Sequence, residues 1–122
     1  MQRTALIVDD SRIARRMLRK SLPPEWAVSV LEATNGREGL ELCEQHDIEV
    51  MFLDLTMPEV DGMAVLDKIK HLAGRPKVTL IVSADVQPES KALALFKGAF
   101  EFIAKPASTE TLRAALSRAG VL

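Results

Sequence analysis

The chain of 122 residues contains one cysteine, few aromatic residues and almost no net charge. The single cysteine, Cys43, excludes a disulfide framework and a cysteine-rich zinc site, and it fits a reducing cytosol. A formal net charge of −1 excludes bulk attraction to nucleic acid or to an anionic membrane. No apolar run approaches the roughly 20 residues of a membrane span, and the sequence shows no signal-peptide pattern, repeat or low-complexity tail. We therefore expect a cytoplasmic protein with a single domain over residues 1–122 and with no nucleic-acid or membrane partner.

What the chain does contain is a regular alternation of short apolar runs and amphipathic segments. The apolar runs predict five buried strands, at residues 4–8, 27–31, 48–53, 77–82 and 99–104. The amphipathic segments predict five helices: 12–22, 36 to about 45, 63–71, one from Pro88 that ends before Gly98, and a last one capped by Ser108. This βα alternation favours an α/β fold with a doubly wound, five-stranded parallel sheet and helices on both faces.

Polar residues follow the predicted strands at the points where they end. Asp9 and Asp10 follow the first strand, Asp54 the third, Ser83 the fourth and Lys105 the fifth. Because ligands in open α/β sheets bind at the carboxyl ends of the strands, we expect these groups to converge there. Three close carboxylates repel one another, and a bound Mg²⁺, which prefers oxygen ligands, removes that repulsion. An aspartate held beside Mg²⁺ can attack phosphorus and form an aspartyl-phosphate.

The motifs at these strand ends resemble, in the same order, the receiver domain of two-component response regulators. They are Asp9-Asp10, Asp54-x-x-Met57-Pro58-x-x-Asp61-Gly62, Ser83-Ala84 and Lys105-Pro106. The likeness extends over nearly the whole chain. It implies a flavodoxin-like sheet with strand order 2-1-3-4-5.

The resemblance also implies a role for each residue of the site. Asp54 matches the phosphoacceptor, and Asp10 matches the metal-binding acid, with Asp9 beside it supporting the site. Thr56 matches the position whose backbone carbonyl binds Mg²⁺. Asp61 and Gly62 are interpreted as structural, with Asp61 capping the third helix and Gly62 allowing a close approach of the backbone.

The remaining roles concern the switch that reads the phosphoryl group and the rate at which that group is lost. Ser83 matches the switch hydroxyl, and Lys105 matches the lysine that pairs with the phosphoryl group, often through a cis peptide to Pro106. Phe102 stands where the family carries a switch tyrosine or phenylalanine. Thr56 and Asp85 occupy variable positions that influence how fast water attacks the aspartyl-phosphate.

The partners follow from the same resemblance. A histidine kinase or a phosphotransfer protein would donate the phosphoryl group, and a target protein would recognise the face made by the fourth helix, fifth strand and fifth helix. Because the chain ends at Leu122, we expect a stand-alone regulator, monomeric or weakly dimeric, that signals by protein–protein contact. We expect no enzymatic activity beyond its own phosphorylation and dephosphorylation, in a chemotaxis-like pathway or a phosphorelay.

Three other functions are compatible with parts of this pattern. An Mg²⁺-dependent phosphohydrolase with an aspartate nucleophile often has a second acid two residues later, where this chain has Thr56. A flavodoxin-like binder needs a phosphate-binding loop after the first strand, where Asp9 and Asp10 would repel a phosphate. A degenerate receiver that acts only as a scaffold would not need the intact acids and Lys105.

The remaining features receive mainly structural interpretations. The first helix is predicted to bury Ile13, Ala14, Met17 and Leu18. It carries on its other side the stripe Arg12, Arg15, Arg16 and Arg19. Such a stripe is usually a solvated face, and its functional alternative is a docking surface for the kinase. Cys43 is predicted to be a buried small hydrophobe, and His46 and His71 to be surface residues. Leu55 stands where the family often has an aromatic residue, so Trp26, in a loop, is predicted to respond little to Mg²⁺ or phosphorylation.

Overall fold

The computed structural model describes residues 3–122 as five strands and five helices in strict alternation. The strands are β1 (Arg3–Val8), β2 (Val28–Ala33), β3 (Val50–Leu53), β4 (Val78–Ser83) and β5 (Glu101–Ala104). The helices are α1 (Arg12–Ser21), α2 (Gly36–Gln45), α3 (Gly62–Ile69), α4 (Pro88–Phe96) and α5 (Thr109–Arg118). None of the helices within residues 3–122 has the length and apolar character that crossing a membrane requires.

The sheet is parallel throughout, with the strand order β2-β1-β3-β4-β5, as predicted. The register brings the strand ends level with one another: Val8 lies beside both Ala33 and Leu53, and Ser83 lies beside Ala104. Side chains that follow β1, β3 and β5 therefore emerge at the same edge of the sheet.

An apolar layer covers each face of the sheet. Because both faces are buried, the sequences of the strands are nearly continuous apolar runs. One face of the sheet presents Ala5, Ile7, Val50, Phe52, Leu80 and Val82 to α1 and α5, which contribute Leu18, Leu112, Ala115 and Leu116. The other face presents Leu6, Val8, Met51, Leu53 and Ile81 to α2, α3 and α4, which contribute Cys43, Val65, Leu66, Ile69 and Ala94. All four residues of β3 are buried, so the central strand is fixed from both sides.

Side-chain caps start four of the helices. Ser11, Asn35, Asp61 and Ser108 each accept a hydrogen bond from the backbone N–H three residues later. At α2 the Glu38 carboxylate accepts from the N–H of Thr34, one residue before the cap, at 2.8 Å. Asn35 and Glu38 thus form a capping pair, with the return bond shifted by one residue.

Several predicted boundaries were displaced by one to three residues. Strand β2 runs from Val28 to Ala33, past the predicted end at residue 31, and so includes Glu32. Strand β3 begins at Val50, two residues after its predicted start. Ile48 is buried in the core but does not belong to the strand. Strand β2 lies at one edge of the sheet, and the buried position expected for Cys43 is confirmed.

The orientation predicted for α1 is wrong in part. Ile13 is 72% exposed and Met17 is 53% exposed, whereas Ala14 and Leu18 face the sheet. The place expected for Ile13 and Met17 at the inner flank of the helix is taken by Arg15, whose side chain is only 11% exposed. The arginine stripe is therefore not simply a solvated face, because one of its members points inward and is hydrogen-bonded.

Candidate functional site

The site lies at the carboxyl edge of the sheet, and backbone hydrogen bonds continue the strand ladder one residue beyond the strands. The N–H of Asp54 donates to the last carbonyl of β1 at 3.0 Å. The N–H of Asp9 donates to the last carbonyl of β2 at 3.2 Å, and that of Lys105 to the last carbonyl of β4 at 3.0 Å. The three side chains are therefore held at one level by the sheet itself.

Three carboxylates meet at this edge, as the sequence predicted. Asp9, Asp10 and Asp54 each place an oxygen within 4.8 Å of those of the other two. Asp9 and Asp54 are each only 5% exposed, while Asp10 is exposed to solvent. Close negative charges and an all-oxygen donor set fit a hard divalent cation such as Mg²⁺.

Lys105 reaches the same cluster from the end of β5. Its Nζ lies 2.7 Å from Asp9 Oδ2 and 3.7 Å from Asp54 Oδ2. The peptide between Lys105 and Pro106 is cis, as the resemblance implied. The ammonium is thus within contact of two of the three acids and is closest to Asp9.

The charge on Asp54 is unfavourable in this environment. Burial raises the pKa of Asp54 above its ordinary value, and the negative charge of Asp9 raises that pKa further. The positive charge of Lys105, a hydrogen bond from Ser83 and one from the Thr56 backbone N–H oppose the rise without cancelling it. The carboxylate at the centre of the site therefore depends on nearby positive charge and hydrogen-bond donors to remain ionised.

Ser83 connects Asp54 to the loop that follows β4. The Ser83 side chain is completely buried, and its hydroxyl hydrogen-bonds to the Asp54 carboxylate. Its oxygen also accepts the N–H of Asp85 at 3.2 Å. The hydroxyl thus has one partner in the site and one in the loop that leads to α4.

The loop after β3 explains the spacing of the motif around Asp54. A Cβ at Gly62 would lie 2.4 Å from the backbone oxygen of Asp54 and 2.7 Å from Leu55 Cα, so only glycine fits there. Asp61 caps α3 by accepting the Ala64 N–H at 2.9 Å, and Met57 is buried in the core. The structural roles predicted for Asp61 and Gly62 are confirmed.

Thr56 and Phe102 are two further residues to which the resemblance assigns a role. Thr56 is exposed and directs its backbone N–H to Asp54, and metal binding by its carbonyl stays a prediction. Phe102 is half-buried against the core on the α2–α4 face, with Lys91 Nζ 5.5 Å from its ring centroid. Phe102 lies on β5 across from Ile81 of β4, and its role in the switch stays a prediction.

Arg15 is a residue of the site that the sequence interpretation missed. Its guanidinium donates to the backbone oxygen of Asp9 at 2.8 Å and to Glu32 at 2.9 Å. Arg19 donates to the same Glu32 carboxylate at 2.7 Å. The only signal for this contact in the sequence was Glu32, an acid directly after the apolar run at residues 27–31. Such an acid is typical of the end of a strand.

Comparison with known proteins gives a consistent result. Residues 5–117 match the model of the response regulator receiver domain. The chemotaxis protein CheY of Bacillus subtilis is 31% identical over 118 residues, which cover 97% of this chain and 98% of that protein. The crystal structure of the Vibrio cholerae chemotaxis protein CheY4 superposes with a TM-score of 0.87 at 27% identity, covering 98% of this chain and 99% of the other.

Other relatives are much longer than this chain. A protein-glutamate methylesterase/protein-glutamine glutaminase of Rhodospirillum rubrum is 40% identical over 109 residues, which are 88% of this chain and 29% of that protein. The chain thus spans about a third of the length of the relatives of this kind. The chain belongs to the response regulator receiver domain family.

Proposed function

We propose that the chain is a stand-alone receiver that accepts a phosphoryl group on Asp54 from the phosphohistidine of a histidine kinase or a phosphotransfer protein. The observation that carries this proposal is the buried Asp54 carboxylate, set among two further carboxylates and next to the Lys105 ammonium. Asp54 is a buried acid with a raised pKa and with hydrogen-bond donors around it. A ligand that supplies positive charge would stabilise its ionised form.

The transfer step makes one bond and breaks one. An Asp54 oxygen attacks phosphorus while the N–P bond of the phosphohistidine breaks, and the imidazole keeps the electron pair of that bond. Lys105, the Ser83 hydroxyl and the Thr56 N–H are the groups of this chain that donate to the phosphoryl oxygens. Catalysis of such transfers consists mainly of positioning and of neutralising oxygen charge.

The reaction is proposed to need Mg²⁺. Asp9, Asp10, Asp54 and the Thr56 carbonyl would hold the ion, which when bound supplies positive charge to the acids and to the phosphoryl oxygens. The support is the oxygen donor set within 4.8 Å. Exposed Asp10 is the acid of this set that solvent and ions reach most easily.

The proposed signal is a shift between two arrangements of the domain. Ser83 moves toward the phosphoryl group, Phe102 fills the space it leaves, and the face made by α4, β5 and α5 changes its preference for a target protein. The support is that Ser83 is fully buried and that Phe102 belongs to the neighbouring strand β5. Phe102 pairs with Ile81, two residues before Ser83 on the same strand, so the Phe102 and Ser83 side chains are on the same face of the sheet.

The phosphodonor is proposed to dock on α1. Ile13 and Met17 are exposed on α1. Met17, Asp9 and Lys105 line a groove of about 310 Å³ between α1 and the Pro106–Ala107 segment. The groove is mostly apolar and leads directly to the acid cluster. A partner helix on this surface would bring its phosphohistidine to Asp54.

Acetyl phosphate with Mg²⁺ tests the assignment of Asp54. The parent should gain the mass of one phosphoryl group, Asp54→Asn should gain none, and the control Asp47→Asn, at an exposed position, should behave like the parent. A gain in Asp54→Asn on the peptide that contains residue 54 would refute the assignment. Removing Mg²⁺ with a chelator should abolish the gain in the parent.

The phosphohydrolase is the second candidate, since the same cluster suits an aspartate nucleophile. Position 56 is a threonine and not an acid, which disfavours this function, because the leaving group then lacks a general acid two residues after the nucleophile to protonate it. Phosphate release distinguishes the two functions. A receiver releases phosphate slowly after one modification, whereas a phosphohydrolase continues to turn over excess acetyl phosphate.

A further inference from the structure

The carboxylate of Asp85 ties the loop after β4 to the first turn of α4. Asp85 Oδ1 accepts the N–H of Gln87 at 3.1 Å, and Asp85 Oδ2 accepts the hydroxyl of Ser90 at 2.7 Å. The backbone N–H of the same residue donates to Ser83 Oγ at 3.2 Å. One residue therefore contacts both the buried hydroxyl of the site and the start of the helix.

Helix α4 has few other attachments at this end. Gln87, which precedes the helix, makes no side-chain cap, and Pro88 at its first position has no N–H to donate. Ala94 is the only buried residue among the nine of α4, whereas α3 buries four of its eight. Within residues 3–122, Asp85 supplies the side-chain hydrogen bonds that anchor the N-terminal turn of α4.

We infer that Asp85 is a positioning residue that couples the Ser83 hydroxyl to α4, so that phosphorylation of Asp54 loosens the first turn of that helix. The inference rests on the proposed function. When Ser83 moves toward the phosphoryl group, its oxygen leaves the Asp85 N–H. The loop then loses one of the bonds that orient the Asp85 carboxylate toward Ser90, and α4 is freed at the end nearest the site.

Hydrogen exchange of the α4 amides in Ser90→Ala tests the coupling. The resting parent should protect the amides of residues 91–94, the first to donate to carbonyls of the N-terminal turn, and Mg²⁺ with beryllofluoride, a phosphoryl mimic, should speed their exchange about tenfold. A tenfold change in the exchange rate corresponds to the low end of the free energy that a hydrogen bond to a charged group contributes. Ser90→Ala should exchange about tenfold faster already at rest and should change little with beryllofluoride. Asp85→Ala should resemble Ser90→Ala, and the control Ser117→Ala, on the exposed end of α5, should resemble the parent.

The resting state separates this inference from the phosphoacceptor assignment, because it needs no phosphorylation. Equal exchange in resting Ser90→Ala, Ser117→Ala and parent would overturn the inference, even if acetyl phosphate modifies Asp54. An equal acceleration by beryllofluoride in the parent and Ser90→Ala would also overturn it, since α4 would then be loosened by another route. Failure of acetyl phosphate to modify the parent would instead count against the proposed function.

Discussion

Replacing Gly62 by alanine tests how tightly the loop after β3 is built around Asp54. The new Cβ would lie 2.4 Å from the backbone oxygen of Asp54, and real Cβ contacts are essentially never shorter than 3.0 Å. The two backbone segments must therefore separate by about 0.6 Å, the difference between these distances. Neither contact atom belongs to a flexible side chain, since the next one is Leu55 Cα at 2.7 Å.

The size of the effect follows from two opposing contributions. Overpacking of this kind costs about 1–3 kcal/mol, and replacing glycine returns about 0.4–1 kcal/mol by restricting the unfolded chain. We expect Gly62→Ala to lose about 2 kcal/mol of the free energy of unfolding, because backbone atoms cannot rotate away, and Tm to fall by about 8 °C. The displaced carbonyl belongs to the phosphoacceptor itself, so phosphorylation by acetyl phosphate should slow about tenfold.

Urea unfolding and the rate of mass gain with acetyl phosphate measure the two effects. The matched control is Gly74→Ala, whose Cβ would have one close neighbour, the Cys43 oxygen at 3.1 Å. This control should stay within about 1 kcal/mol of the parent and phosphorylate at the parent's rate. A Gly62→Ala protein with the stability and phosphorylation rate of the parent would show that the loop yields freely and does not position Asp54.

Three further predictions concern charge and burial. Because burial and Asp9 raise the pKa of Asp54 in the native state, ionising Asp54 destabilises the fold as pH rises above the ordinary carboxyl pKa near 3.8. Asp54→Asn should thus have a higher urea midpoint than the parent at pH 7 and no advantage below pH 3.8; a lower midpoint at pH 7 contradicts this. Trp26 is buried, donates to the Val121 carbonyl at 3.1 Å and lies before β2, at the edge of the sheet opposite Asp54, so its fluorescence should change little with Mg²⁺ or beryllofluoride; strong quenching would refute this. Cys43 is 1% exposed and burial raises its pKa to about 11, so a thiol reagent at pH 8 should react only after unfolding.

The convergence of the acids and Lys105 was predictable because it depends on features that are local in sequence. Each group directly follows an apolar run or ends it, and the parallel sheet brings the ends of such runs to one edge. The caps at Ser11 and Asp61 were predictable for the same reason, since a cap and its N–H partner are three residues apart. The strand order, by contrast, came from the family resemblance, because alternation alone leaves several orders open.

The orientation of α1 was not predictable in this way, because it depends on a contact between α1 and a strand that is distant in sequence. Periodicity assigned Ile13 and Met17 to the core and treated every arginine as solvated. The inner flank of α1 is occupied instead by Arg15. Its guanidinium donates hydrogen bonds to Glu32 on β2 and to the backbone carbonyl of Asp9, just after β1. The predicted strand stopped at residue 31 and left out Glu32, whose pairing with two arginines lowers its pKa and keeps it ionised within β2. The two errors have one cause, an ion pair between residues 17 positions apart.

Asp9 emerges as the most constrained acid of the cluster. Its N–H donates to Ala33, its carbonyl accepts from Arg15, and its carboxylate accepts from the Ser11 N–H at 2.9 Å and from Lys105 at 2.7 Å. Every polar group of this residue has a partner within the protein. Asp9 therefore suits the role of a fixed support better than that of a ligand that must rearrange.

This constraint has a consequence for the proposed transfer to Asp54. With its ammonium on Asp9, Lys105 is held 3.7 Å from the Asp54 carboxylate, too far for a hydrogen bond but near enough to lower the cost of ionising it. A phosphoryl group on Asp54 would add oxygens in the space between the two, where Lys105 needs only a small rotation to meet them. Asp9 thus keeps the lysine ready beside the reactive acid without letting the two form a closed pair. A Lys105–Asp54 ion pair at hydrogen-bond distance would instead have to be broken before phosphorus could be attacked.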